Sequence, residues 1–489
     1  MKYLLGIDFG GGASKATLLS HDGIVVATAT TEYPTSYPKM GYAEQNPDDW
    51  YDAVKVGINK ILEKSGVDAS DITALCLDAA THTAVLMDDD FNPVMPAIYW
   101  TDTRCVKEVN YLKENYGYLI FKSALHNPGT IWTLPQIMWV KNNMPEEFKK
   151  IKKVLFAKDY VRHKLCGDYA TDFIEAEGSM LFDFNTLSWS KELLDLAGLD
   201  INDMPKVKKP TDIAGFITKK ASEETGLLEG MKVIVGSTDT VMEVYASGAV
   251  KKGQMTLKLA TAGRICIVTD KSYPDKNLLN YSHLVDDLWY PGTATKACAS
   301  SYRWYRDTFG GDYKDLDTAA KEAPLGCDGL MYHPYLNGEL TPHQDPSLCA
   351  SFTGVRSSHT KGHFNRAVLE GVAFSLLDCK KAIEEIGIEM GDTATAIGGG
   401  SASPLWRQIV SDMLNFKLIT TNNSDSSFGS AMVAGVATGV FPSFEDAVKK
   451  CSVKVSETIP NLENHKKYLE LYEDYKKIHD ALAPIYNNR

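Results

Sequence analysis

At 489 residues the chain is too long for one core, so two domains are expected. Its composition, 44% hydrophobic with 23% charged and 10% aromatic residues, is that of a water-soluble globular protein. A formal net charge of −12 argues against nucleic acid and against an anionic membrane surface as partners, but leaves nucleotides open, because a bound cation can handle phosphate charge locally.

The first element is an apolar run from Lys2 to Ile7 that ends in Asp8, then Gly10, Gly11, Gly12, Ser14 and Lys15. A strand delivering an acid to a glycine loop lets backbone N–H groups approach a ligand closely. An acid there repels a bare phosphate, so a magnesium ion bridging the two is the natural third party. Ala16 to Thr31 read as strand, Asp22-Gly23 turn and strand, which makes the loop the tip of a hairpin rather than a P-loop or a Rossmann turn. An ordinary glycine-rich hairpin remains an alternative for this segment alone. Asn46-Pro47-Asp48-Asp49 then starts a helix that carries Trp50, Val54 and Ile58 at helical spacing and closes at Gly66. Ile72 to Ala80, Thr83 to Met87 and Pro96 to Trp100 read as strands, and Cys105 to Asp200 is richer in helix.

The organisation then recurs. Met231 to Asp239 is again a strand ending in glycine and an acid, and Gln254 to Asp270 gives strand, turn and strand around Thr261, Ala262 and Gly263. A further strand runs into Gly398, Gly399 and Gly400, with Ser403-Pro404 starting a helix. Two halves joined near residue 245 thus each carry a loop suited to phosphate or nucleotide. The small-residue helix opening at Asp425 has two equal readings, packing against the Gly398–Gly400 loop or tight strand–helix packing.

Phosphoryl transfer to an alcohol needs a proton acceptor, a metal to hold phosphates, and donors for the transferred group. Asp8 and Asp239, at two strand ends, can divide the first two tasks; a helix cap is the competing reading of Asp239. Thr81-His82 and Thr101-Asp102 are polar clusters at strand ends that suit a polyhydroxylated substrate. Nine cysteines between Cys76 and Cys451 include no C-x-x-C pair, so reduced thiols and no zinc site are expected. With no basic leader and no membrane-spanning apolar stretch, a cytoplasmic location is expected.

Over essentially its whole length the chain resembles the FGGY carbohydrate kinases, and among them bacterial xylulokinases. Gly41 to Trp50 looks like the family's E-Q-x-P-x-x-W segment, and Lys158-Asp159-Tyr160, Thr171-Asp172 and Asp183 to Trp189 follow the xylulokinase pattern. Tyr335 to Pro342 resembles Y-L-x-G-E-R-T-P with Leu340 in place of Arg. The C-terminal signature fits at every specified position, from Ala350, Phe352 and Gly354-Val355 through His363-Phe364 to Ala367-Val368-Leu369-Glu370.

The resemblance implies an α/β fold of two actin-like (ribonuclease H-like) ATPase domains with a catalytic cleft between them. Residues 1–245 would be the sugar-binding domain with the first phosphate loop, and 246–489 the nucleotide-binding domain. It implies ATP-dependent phosphorylation of a small sugar, D-xylulose first, with another ketopentose, a polyol or gluconate as alternatives. A sugar-binding pseudokinase or an actin-like ATPase are the more distant readings. Asp239 would be the catalytic base and Asp8 the acid near magnesium, both being candidate metal positions. Thr81, His82, Asp102 and Asp239 would face the sugar. Gly10, Gly11, Gly12, Ser14, Lys15, Thr261, Ala262 and Gly263 would hold the phosphates of ATP, with Gly398, Gly399, Gly400 and Ser403 at the adenosine. A homodimer is a further expectation from the family.

Departures from the family pattern are specific. Its D-x-G-T-[ST] loop has become Asp8-Phe9-Gly10-Gly11-Gly12, and its G-T-S loop is Ala260-Thr261-Ala262, so three hydroxyls are lost. Backbone N–H groups can still cradle phosphate. Ala80, Thr81 and Thr101 replace Gln, Met and Asn, and Gln136 stands where Lys is usual. The first three changes bear on which sugar is taken.

Overall fold

The run after Lys2 forms the strand Tyr3–Phe9, whose alternation sorts side chains onto two faces. Leu5, Ile7 and Phe9 join a buried cluster with Trp50, Val54, Ile58 and Ile61 of the helix Pro47–Ser65. That helix begins at Asn46, whose side chain accepts the Asp48 amide, and ends at Gly66 with φ of 64°. The structure, a computed structural model, describes residues 1–486. Among these no helix is long and apolar enough to cross a membrane.

Packing divides the chain into two units. Met1–Gly248, Tyr281–Asp286 and Asn423–Ser452 form the first; Ala249–Asn280, Asp287–Asn422 and the stretch from Val453 onward form the second. The first unit's sheet runs, in space, Ile213–Phe216, Lys232–Thr238, Ile72–Ala79, Tyr3–Phe9, Ala13–Ser20, Val25–Glu32. Tyr3–Phe9 pairs in parallel with Ile72–Ala79, which pairs in parallel with Lys232–Thr238. The second unit's sheet runs Gly292–Thr295, Gly263–Ile267, Met255–Leu259, Thr393–Ile397, Lys417–Thr421, Lys454–Thr458. Strand senses are the same in both: an antiparallel meander, then two parallel strands, then an antiparallel edge. One difference breaks the repeat. The antiparallel edge beyond the parallel strands precedes its neighbour along the chain in the first unit and follows it in the second.

The later segments depart from two contiguous halves. Of the two readings of the helix Ser426–Ala437, tight strand–helix packing is the one the structure shows: it lies in the first unit against the strand Tyr3–Phe9, not against Gly398–Gly400. Small residues set that choice. A Cβ on Gly6 would collide with the Ser427 carbonyl and the Ala431 amide, and one on Gly429 with the carbonyl of Met242 in the helix Asp239–Ala246. The helix is thus wedged between the strand that ends near Asp8 and the helix that begins with Asp239.

Because the obstacles at Gly6 are backbone atoms, Gly6→Val should destabilise the first unit by about 1–3 kcal/mol or more. Urea unfolding reads this directly; an unshifted midpoint would mean the wedge helix can retreat without loss.

Candidate active site

Three parallel strands carry the acids to one level. Asp8 and Asp78 are register partners, and Asp78 also pairs with Ser237, two residues before Asp239. The strand Lys232–Thr238 has a register shift between Ile234 and Ser237, where Gly236 takes φ of 74°. Asp239 follows as the first residue of the helix Asp239–Ala246. Its Oδ1 accepts three bonds: from the Thr240 amide at 2.7 Å, the Thr81 hydroxyl at 3.1 Å and the Thr240 hydroxyl at 3.3 Å.

Asp78 is fully buried and accepts the Ser430 hydroxyl at 2.5 Å. Burial first, then the charge of Asp8, holds its carboxyl well above the usual carboxylate range. Asp8 is pushed up to about 7 by burial and by the charge of Asp239, while a hydrogen bond from Asp78 pulls the other way. Sequence reasoning took Asp8 and Asp239 but missed Asp78; the signal was an acid inside the apolar run Ile72–Ala79. It also missed Glu243, one helical turn past Asp239, whose charge adds to the rise at Asp8.

The glycine loop is braced from behind. Tyr33 donates to the Gly10 carbonyl at 2.7 Å, and Thr35 and Gln45 donate to that of Gly11 at 3.2 and 3.3 Å. Trp50 in turn donates to Gln45 at 2.9 Å, so the E-Q-N-P-D-D-W segment serves as scaffolding for the loop. With these carbonyls held, the Gly11 and Gly12 amides meet no protein acceptor among the described residues. Ser14 is buried beside the loop, and Lys15 pairs with Asp425 at 3.0 Å.

His82 is buried with φ of 72°, an uncommon conformation for a residue with a Cβ. Two bonds hold it: its amide donates to Glu175 at 2.8 Å and its carbonyl accepts Thr133 at 2.8 Å. Its ring lies 3.0 Å from the Tyr281 hydroxyl and packs on Trp132. Behind it sits a buried ion network. Lys158 pairs with Asp159 at 2.6 Å and Asp172 at 2.9 Å, and Asp172 also accepts Ser237 at 2.7 Å. Asp102 is fully buried with both oxygens engaged, by the Ala43 amide at 2.6 Å and by the Arg104 side chain at 2.7 to 3.0 Å. It orients Arg104, which reaches Glu44 at 2.8 Å and stacks on Tyr42.

In the second unit a cavity of about 960 Å³ is lined by Ala260, Thr261, Tyr302, Tyr313, Gly399, Gly400, Ser403 and Leu405, among others. The Ala260 and Thr261 carbonyls accept the Ala299 and Cys298 amides at 2.7 and 3.0 Å, so this loop too is braced by its carbonyls. Ala262 and Gly263 continue it into the strand Gly263–Ile267. Ser403 caps the helix Pro404–Leu414 and donates to Asp317 at 2.5 Å, while Tyr302 donates to the other Asp317 oxygen at 2.9 Å. Gly398, with φ of 83°, brings the chain against the Leu259 carbonyl, and Gly399 faces open space at the cavity.

Fold and sequence together define a phosphotransferase acting on an alcohol group. Residues 3–245 match the profile of the N-terminal domain of the FGGY family of carbohydrate kinases, and residues 268–438 that of its C-terminal domain. A xylulose kinase of Bacillus subtilis is 31% identical over 484 residues, spanning 98% of this chain and 97% of its own. The ligand-bound xylulose kinase from Lactobacillus acidophilus superposes with a TM-score of 0.93 at 25% identity, over 100% of both chains. A gluconate kinase from Lactobacillus acidophilus gives 0.92 at 26% identity, over 100% of this chain and 99% of that one. The chain belongs to the FGGY family of carbohydrate kinases, as a xylulokinase-like kinase for which the family implies ATP as phosphate donor.

The buried acids also make stability depend on pH. Burial pushes Glu177 up to about 8, even though the Ser282 hydroxyl and amide donate to it at 2.5 and 2.9 Å. Between the ordinary carboxyl range and about 8 the folded state holds a proton that the unfolded state has lost, so this contribution fades as pH rises through that window. Glu177→Gln should therefore raise Tm at pH 8.5 by a few degrees, at roughly 2–4 °C per kcal/mol, with the gain shrinking toward pH 5. Thermal melts across that range test it, and a gain independent of pH would contradict the assignment.

Proposed function

We propose that the protein phosphorylates a small neutral sugar, D-xylulose foremost, on a primary hydroxyl, with Asp239 as general base. The observation that carries this reading is the placement of a half-buried carboxylate, with one oxygen fully engaged, among Asp8, Asp78 and Glu243. An anionic substrate such as gluconate would meet like charge there, which favours a neutral one. Relatives named xylulose kinases support the sugar class, and those named gluconate kinases mark the alternative.

In the reaction the sugar hydroxyl oxygen bonds to the γ-phosphorus of ATP as the bond to the ADP oxygen breaks, and the hydroxyl proton passes to Asp239. Amides of the braced Gly10–Gly12 loop are preorganised donors for phosphate charge. His82, fixed by Glu175 and Thr133, presents its ring to the sugar. Asp8 would hold magnesium, which neutralises phosphate charge when bound. Among the described residues no three His, Cys, Asp or Glu side chains form a ready-made cage, so the phosphates themselves would complete the shell.

ADP release from ATP and magnesium, measured over ketopentoses, pentitols, tetritols, glycerol and gluconate, tests both parts. D-xylulose is expected to give the strongest response. Asp239→Asn should lower kcat by roughly 10²–10⁴ while calorimetric sugar binding stays within a few-fold. A preference for gluconate would overturn the neutral-sugar reading, and near-normal turnover by Asp239→Asn would overturn the base.

A further inference from the structure

Asp239 is bonded asymmetrically. Three donors converge on Oδ1, namely the Thr240 amide and hydroxyl and the Thr81 hydroxyl, and no protein donor among the described residues reaches Oδ2. Two of the three belong to the next residue and swing with the helix end. Only Thr81, which follows the strand Ile72–Ala79, ties the carboxylate to a separate element of the first unit. It also stands where the xylulokinase pattern has Met, a residue with no hydrogen to donate.

We infer that Thr81 is a positioning residue for the phosphoryl transfer: its hydroxyl fixes the rotation of the Asp239 carboxylate so that Oδ2 receives the sugar proton. This rests on Asp239 being the base. A carboxylate free to turn would present either oxygen, and the in-line attack needs the acceptor within hydrogen-bond reach of one hydroxyl. Having given its only proton to Asp239, Thr81 has lone pairs alone to offer a substrate. It can therefore accept a bond from a sugar O–H and cannot donate one to a sugar oxygen.

Thr81→Val keeps the shape and removes the donor; Thr81→Ser keeps the donor. Steady-state kinetics on D-xylulose, or on the best substrate of the panel, should show kcat reduced roughly 10-fold in Thr81→Val, the size expected for one bond to a charged group. KM for ATP should be unchanged, and Thr81→Ser should restore most of the rate. In an Asp239→Asn background Thr81→Val should bring no further loss, because the two act as one unit. A merely structural role would instead lower Tm in both variants without the serine rescue.

Wild-type kcat in Thr81→Val, or equal loss in Thr81→Ser, would overturn the inference even if Asp239→Asn is inactive. Retained turnover in Asp239→Asn would remove the base reading itself, which separates the two failures.

Discussion

Carboxylates brought side by side on neighbouring strands repel each other, and the first unit is arranged around that repulsion. Asp8 and Asp78 are adjacent in register, with Asp239 just beyond the third strand of the set. Full ionisation of both Asp8 and Asp78 in so desolvated a place would be costly. The Asp78 carboxyl is accordingly held well above the usual carboxylate range, and the Ser430 hydroxyl donates to its Oδ2. Around Asp239, the Thr240 amide and hydroxyl and the Thr81 hydroxyl all donate to Oδ1. The two acids thus sit on neighbouring elements in different surroundings, Asp78 fully buried against Ser430 and Asp239 half-buried with one oxygen engaged.

That arrangement works only if the elements stay close. The helix Ser426–Ala437 supplies Ser430, and its small residues let it touch backbone on both sides, Gly6 in the strand and Met242 in the helix after Asp239. From another direction the Lys158 network fixes the same strand end. Asp172 accepts Ser237, and Arg162 donates to the Val235 carbonyl at 2.6 Å on either side of the Gly236 irregularity. A buried ion pair is weak evidence for stability, because desolvation offsets most of the attraction. Here its geometry favours a role in placement, since its members bond to the strand before Asp239 and, through Glu175, to the amide of His82.

What the sequence made legible follows from how local each signal is. The Asn46 cap, the Asp22-Gly23 turn, both glycine-tipped hairpins and the Ser403-Pro404 helix start are set by a few adjacent residues, and each stands in the structure. The spacing Ser427, Gly429, Ser430, Ala431 announced close packing but not its partner, because a small surface fits any backbone that topology brings to it. Asp78 was hidden by the opposite effect: one acid in a long apolar run looks like a strand end until register places it beside Asp8. Family motifs carried less than the contacts show: Asp102 also accepts from Arg104 and a backbone amide, and Gln45 and Trp50, read as a helix lead-in, brace the glycine loop.

The altered phosphate loops then have a physical reading. Hydroxyls missing at Gly11, Gly12 and Ala262 remove donors that side chains would supply, but an amide can replace a hydroxyl if the peptide is prevented from turning its carbonyl toward the ligand. In the first loop that is what Tyr33, Thr35 and Gln45 do, by accepting no alternative orientation for Gly10 and Gly11. In the second, the Cys298 and Ala299 amides at the start of the helix Ala299–Phe309 hold the Thr261 and Ala260 carbonyls in the same way. Two unrelated sets of residues thus enforce one orientation in the two repeats. Donors fixed before charge develops need no reorganisation when it does, so for an anion a loop of glycines held from behind can match a hydroxyl free to rotate.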